Sequence, residues 1–132
     1  MDDDSAAVAA MAEAWNAHDL DGVYGRMTED YHEYLNGTLI RTSREEARQA
    51  DQAALYDRFP DYRRIVHETW GVGHRAVSRF TILGTATDGS ALEADVCCIY
   101  GLRDGLTASG SSRARHVRPF PVAGRCSLSV DQ

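Results

Sequence analysis

The sequence predicts an α+β fold, a cone-shaped barrel in which three N-terminal helices pack on a curved, mostly antiparallel sheet. Two observations carry that expectation. Apolar residues recur at helical spacing as far as Pro60, and beyond it they alternate. Helices gathered ahead of strands with short turns give an α+β domain rather than a doubly wound sheet. Helices that close one mouth of a curved sheet enclose a pocket, so the functional question is what lines it.

The first helix is capped by Asp4 or Ser5, and Val8, Met11, Ala12 and Trp15 share one face. After a one-turn break at His18 and Asp19, where Asp19 is a good N-cap, Leu20, Val23, Tyr24 and Met27 repeat the spacing as a second helix. A short strand follows, then a turn at Asn36-Gly37 and a second extended piece. Ser43 with Glu46 three residues on is a capping box, and Ala47, Ala50, Ala54 and Leu55 give the third helix its buried stripe. Phe59-Pro60 stops it, because a residue before proline avoids the α region. Strands are expected at about 62–70, 75–85, 91–102 and 106–115, joined by turns at Gly71 to His74, Asp88-Gly89 and Arg103 to Gly105. Such a series pairs as an antiparallel meander. Residues 1–115 thus form one domain, and 116–132, with Pro119, Pro121 and Gly124, a tail without assigned structure.

The 132 residues suffice for one core, and 43% apolar with 26% charged residues is the balance of a folded domain. A net charge of −6 argues against nucleic acid as partner, since phosphate binding needs clustered Lys and Arg. No run of about 18 apolar residues offers a membrane span, and no basic-then-apolar leader precedes the first helix, so a cytoplasmic protein is expected. Cys97, Cys98 and Cys126 have no metal-ligand spacing; neighbours on a strand point to opposite faces. Three free thiols and no metal are expected.

With this order in place, four segments resemble the nuclear transport factor 2-like superfamily and, within it, the SnoaL-like proteins. They are AWNAHDLDGVY (14–24), RFPDYR (58–63), HRAVSRFTILGTATDG (74–89) and IYGLRDG (99–105). The resemblance implies a cone-shaped cavity, no cofactor and a homodimer. It leaves function open, because the superfamily includes polyketide cyclases, ketosteroid isomerases, epoxide hydrolases, dehydratases and non-catalytic binding modules.

Cofactor-free chemistry in such a pocket is proton transfer, which needs a base, an oxyanion donor and an apolar wall. Strand alternation puts Tyr31, Glu33 and Leu35 on one face, with His32 and Tyr34 on the other. The resemblance sets the isomerase base at Leu35, and a two-residue slip sets it at Glu33. Glu33 is therefore the leading acid/base candidate, the alternative being a rim carboxylate. On the 91–102 strand, Leu92, Ala94, Val96, Cys98, Tyr100 and Leu102 form the face expected to line the cavity. Related isomerases carry a second acid near Cys98, and a thiol is a weak donor. Tyr100 and Tyr31 are the replacement donors, or else core tyrosines.

Arg79 resembles the arginine of the related epoxide hydrolases, whose carboxylates would fall at Thr81 and Ser112, neither acidic. It is expected either to polarise a substrate oxygen or to make a structural ion pair. His67 is a proton shuttle candidate by its near-neutral pKa, or a surface residue. Trp15, Leu35, Phe59, Val96 and Cys98 are the expected ligand-binding wall. The activity implied is that of a cofactor-independent SnoaL-like enzyme, catalysing proton transfer or cyclisation on a small apolar polyketide-like or terpenoid-like substrate. A non-catalytic binding or dimerisation module and an epoxide hydrolase are the alternatives. Ile99 and Cys97 would be wetted on the outer sheet face, so a dimer through that face is expected.

Overall fold

The first helix, α1 (Asp3–Asn16), stops where His18 takes a left-handed backbone with φ 58°. Asp19 then caps α2 (Leu20–Tyr24), its carboxylate accepting the Gly22 N–H at 3.0 Å. Met27, expected on that second helix, instead opens β1, because its backbone is in register with Thr107 in the sheet. The computed structural model describes residues 3–116, so the tail beyond His116 and Cys126 with it lie outside the described residues.

After α2 come β1 (Met27–Leu35), β2 (Thr38–Arg41) and α3 (Arg44–Asp51), then β3 (Arg63–Val72), β4 (Arg75–Thr85), β5 (Ala91–Arg103) and β6 (Leu106–His116). Ser43 Oγ accepts from Glu46 N–H at 3.1 Å, while the Glu46 carboxylate reaches back to Thr42 N at 2.6 Å, one residue earlier than a standard capping box. A single π turn, Gln52–Tyr56, continues α3, its Asp57 N–H donating to Gln52 O at 2.9 Å. The chain then leaves the helix ahead of Pro60, as the sequence implies.

The sheet order is β2-β1-β6-β5-β4-β3. β3 to β6 form the antiparallel meander, but β1 lies parallel to β6. A parallel neighbour needs a long crossover, and the chain from α3 through β5 supplies it. α1 packs across β3 and β4, and α3 against β1, so the helices cover one face of the sheet. Beneath them Val8, Met11 and Trp15 meet the inward residues Phe80, Ile82, Leu92, Ala94 and Val96. No helix among the described residues is long and apolar enough to cross a membrane.

The AWNAHD segment fastens α1 to β3, the last strand of the sheet. Asn16 Nδ2 donates to Arg64 O at 2.9 Å, and Arg64 N donates to Asn16 Oδ1 at 2.7 Å. This satisfies an exposed strand edge with a side-chain amide. His18 Nε2 donates to Tyr62 O at 2.7 Å and its ring stacks on Tyr56 at 4.3 Å. The segment is thus a clamp, and what it holds in place is Arg64.

Cys97 is exposed and Cys98 buried, both as free thiols on opposite faces of β5. Adding reductant is expected to move the thermal midpoint by less than about 5 °C, the shift that about 1 kcal/mol gives in a domain near this size. Melting curves with and without reductant check this, and a larger drop would mean a stabilising crosslink.

Candidate active site

Between the helices and the inner sheet face lies a cavity of about 500 Å³. Of the residues singled out in the sequence, Glu33, Tyr31, Tyr100, Trp15, Leu35, Phe59, Val96 and Cys98 all line it. Two do not. Arg79 stands on the outer face, where its Nε donates to the Glu68 carboxylate at 2.8 Å with both side chains half-exposed. His67 is there too, with Nε2 against Thr81 Oγ1 at 2.7 Å, and Thr81 donates to Asp95 at 2.8 Å. The reason is strand parity: Arg79 and Thr81 pair with the outward Cys97 and Asp95, whereas Ser78 and Phe80 face in. Neither Arg79 nor His67 lines the cavity, so the expected polarising and proton-shuttle roles have no site there.

The polar end of the cavity gathers residues from five elements. Glu33 projects from β1, and Arg41 sits directly opposite it on β2. Asp51 enters from the end of α3, Tyr24 from α2, and Arg64 from β3. Tyr24 donates its hydroxyl to the Asp51 carboxylate, and Arg41 Nη2 stands 3.6 Å from that carboxylate. Tyr31 OH donates to Glu33 Oε1 at 3.3 Å. It has room to do so because a Cβ on Gly110 would sit 2.8 Å from that hydroxyl. Any larger residue at 110 pushes Tyr31 off its station.

Burial, and next the charge of Asp51, push the Glu33 carboxyl up to about 7; Arg41, the Tyr31 hydrogen bond and Arg64 oppose the rise. Burial raises Asp51 as well, against the opposing effects of the Tyr24 hydrogen bond and the Arg41 charge. Both carboxyls are thus shifted toward the protonated form, and the charge of Asp51 adds to the rise at Glu33. Burial raises the Tyr24, Tyr31 and Tyr100 phenols far above their usual value, so all three are neutral donors. It also raises the Cys98 thiol to about 11. Cys98 is held by hydrogen bonds with Ser112 and Tyr100. It is an inert thiol at neutral pH.

Sequence reasoning missed Asp51, Arg41, Arg64 and Tyr24. Asp51 had a signal: it falls four residues after the buried Ala47, on the apolar stripe itself. Arg64 had one too, sharing inward parity with Tyr62, a charged residue on a core face. Arg41 is set opposite Glu33 by a register shift at Glu33/Tyr34, which alternation does not reveal. Among the described residues, no group of three or more His, Cys, Asp or Glu gathers as a metal site.

The SnoaL-like domain family model matches residues 8–109. No curated protein matches the chain by sequence. Among solved structures, an uncharacterised cystatin-fold protein from Novosphingobium aromaticivorans is 28% identical, with 83% of this chain and 96% of that one covered at a TM-score of 0.73. AclR of Streptomyces galilaeus, a candidate hydroxylase, is 18% identical, covering 86% and 79% at TM-score 0.75. IdmH of Streptomyces antibioticus, a candidate polyketide cyclase, is 22% identical, covering 84% and 91% at TM-score 0.68. The last two likenesses speak to the cone-shaped fold, and the match over most of the chain to the family: this protein belongs to the SnoaL-like domain family of the nuclear transport factor 2-like superfamily.

Proposed function

We propose that the protein is a cofactor-independent enzyme that moves a proton on, or cyclises, a mostly apolar polyketide-like or terpenoid-like substrate of secondary metabolism. The observation that supports it most is the carboxyl of Glu33, set in a cavity and poised at about 7. A general base works best with a pKa near the operating pH. Glu33 takes a proton from a carbon next to a carbonyl, an enolate forms, and protonated Glu33 returns the proton to the new position. Neutral phenols and Arg64 stand around the cavity to stabilise the enolate oxygen. The polyketide cyclase assignment of IdmH, a structural neighbour, agrees with this reading.

The test is solvent deuterium exchange into an aromatic 1,3-diketone, followed by mass spectrometry. Wild-type protein is expected to speed exchange, and Glu33→Gln to leave it at the rate of buffer. Equal exchange by both variants would overturn Glu33 as the base. Binding without exchange would favour the alternative of a non-catalytic pocket, which the Cys98–Ser112 pair, lacking any acid, also favours.

We further infer a homodimer through the outer sheet face. Trp70, Val77, Ile99, Ser111 and Tyr34 form a row across five strands there. Trp70, Val72 and Ile99 are 49%, 66% and 43% exposed, an apolar patch that favours a partner surface. Light scattering at micromolar concentration is expected to give twice the 14.6 kDa chain mass; the monomer mass would refute it. A cytoplasmic location belongs to the same reading, supported by the free Cys97 and Cys98.

A further inference from the structure

Two guanidinium groups share the cavity, and both are short of acceptors. The Nε–H of Arg41 and that of Arg64 are buried with no hydrogen-bond partner. Arg41 at least has Asp51 as counter-charge. Arg64 is only 9% exposed, and among the described residues no carboxylate forms an ion pair with it. Its neighbours are neutral: Tyr62 OH at 2.8 Å from Nη2, and the faces of Trp15 and Phe80 at 4.6 and 4.4 Å from Cζ. Ring faces stabilise a cation without neutralising it. The cation thus has no anion in direct contact, the Glu33 and Asp51 charges acting on it only at longer range, and the cavity beside it is open to a ligand.

We propose that the cavity binds a mostly apolar organic acid as its monoanion beside Arg64, and that Glu33 takes up one proton as the anion enters. This rests on Glu33 being the titrating acid of the function proposed above. With Glu33 and Asp51 both ionised, their charges balance those of Arg41 and Arg64. An entering anion then leaves one excess negative charge among buried groups, and a proton removes it.

Glu33 is the place for that proton, given what faces it from each element. From α2 and α3 come Tyr24 and Asp51, already bonded to one another; from β2 comes Arg41. Tyr31 on β1 and Tyr62 ahead of β3 are neutral phenols. Cys98 and Tyr100 on β5 stay protonated through neutrality. Arginine does not titrate in this range. The rest of the wall, including Met11, Phe59, Ile82, Leu92 and Val96, requires the body of the ligand to be apolar. An oxyanion of this kind is either a carboxylate or the phenolate of an acidic phenol.

The test is isothermal titration calorimetry with anthracene-2-carboxylate against its neutral carboxamide, and with 4-nitro-1-naphthol against its methyl ether. Each anion is expected to bind at least ~10-fold tighter than its neutral partner, as a charge-assisted hydrogen bond provides. The stronger of the two anions identifies the source of the oxyanion. At pH 8, where Glu33 is mostly ionised, titrations in buffers of different ionisation heat should show uptake of close to one proton per carboxylate bound. Arg64→Gln should abolish the preference for anion over isostere, and Arg64→Lys should restore part of it. Glu33→Gln should abolish proton uptake and keep the preference.

Equal binding of acid and isostere by wild type, absence of proton uptake, or failure of both anions to bind at millimolar concentration would overturn the proposal. The wild-type titrations decide it even if Arg64→Gln fails to fold. Because these readouts involve no turnover, they fail separately from the catalytic role of Glu33. Loss of exchange in Glu33→Gln with no anion preference in wild type would sink this inference alone.

Discussion

Glu33→Gln is expected to lower turnover at least ~100-fold, the lower end of what a positioned general base contributes. Glutamine keeps the size of the side chain and can still accept from Tyr31, so ligand binding should survive while the basic oxygen is lost. If the variant turns substrate over like the parent, Glu33 is not the base. The same substitution has a second, opposite effect. The folded carboxyl is raised from 4.5 to about 7. Between those values the unfolded chain has lost a proton that the folded protein keeps. Stability therefore falls as pH rises through this window and levels off above it. Glutamine has no charge to bury, so Glu33→Gln should gain thermal midpoint over the parent at pH 8 but not at pH 4. A midpoint difference that does not change with pH would show that Glu33 buries no charge.

Trp15→Ala is expected to cost about 3–5 kcal/mol, the usual range for emptying a large aromatic site. For a domain of this length that is a loss of roughly 10–20 °C in thermal midpoint. Trp15 is 5% exposed and stands edge-on to Tyr24 and Tyr62, each at a ring separation of 6.0 Å. Its ring also covers the guanidinium of Arg64. Removal enlarges the cavity and strips one π face from a buried cation, so both losses act in the same direction. Urea denaturation measures the change, and a loss under about 1 kcal/mol would mean that the neighbours close over the gap.

Much of this architecture was legible in the residues. The apolar spacing of Val8, Met11 and Trp15 marks α1, and strict alternation from Leu92 to Leu102 marks the inner face of β5. Alternation also put Tyr31, Glu33 and Leu35 on a common face, and all three line the cavity. The same rule, applied to β4 without a known partner, left the face of Arg79 undecided, because a strand's parity does not say which side the helices cover. Asp51, Arg41 and Arg64 were hidden for another reason. Their roles depend on contacts between elements distant in sequence, and a lone acid on a helix reads first as solvated surface. The π turn after Asp51 has no composition signal at all; QAALY reads as ordinary α-helix.

The parallel pairing of β1 with β6 has a consequence for how the protein is made. Synthesis runs from the N-terminus, so Glu33 and the β1–β2 hairpin leave the ribosome long before residues 106–116 exist to receive them. Until then β1 lacks its inner neighbour, Gly110 is not there to admit Tyr31, and Ser112 is not there to meet Cys98. The chemistry-bearing strand comes first in the chain and is completed last. Pairing across so long a separation slows folding and leaves an open strand edge while it waits. A nascent chain halted between Tyr100 and Leu106 would carry every acid and base of the cavity and lack the strand that joins β1 to the rest of the sheet.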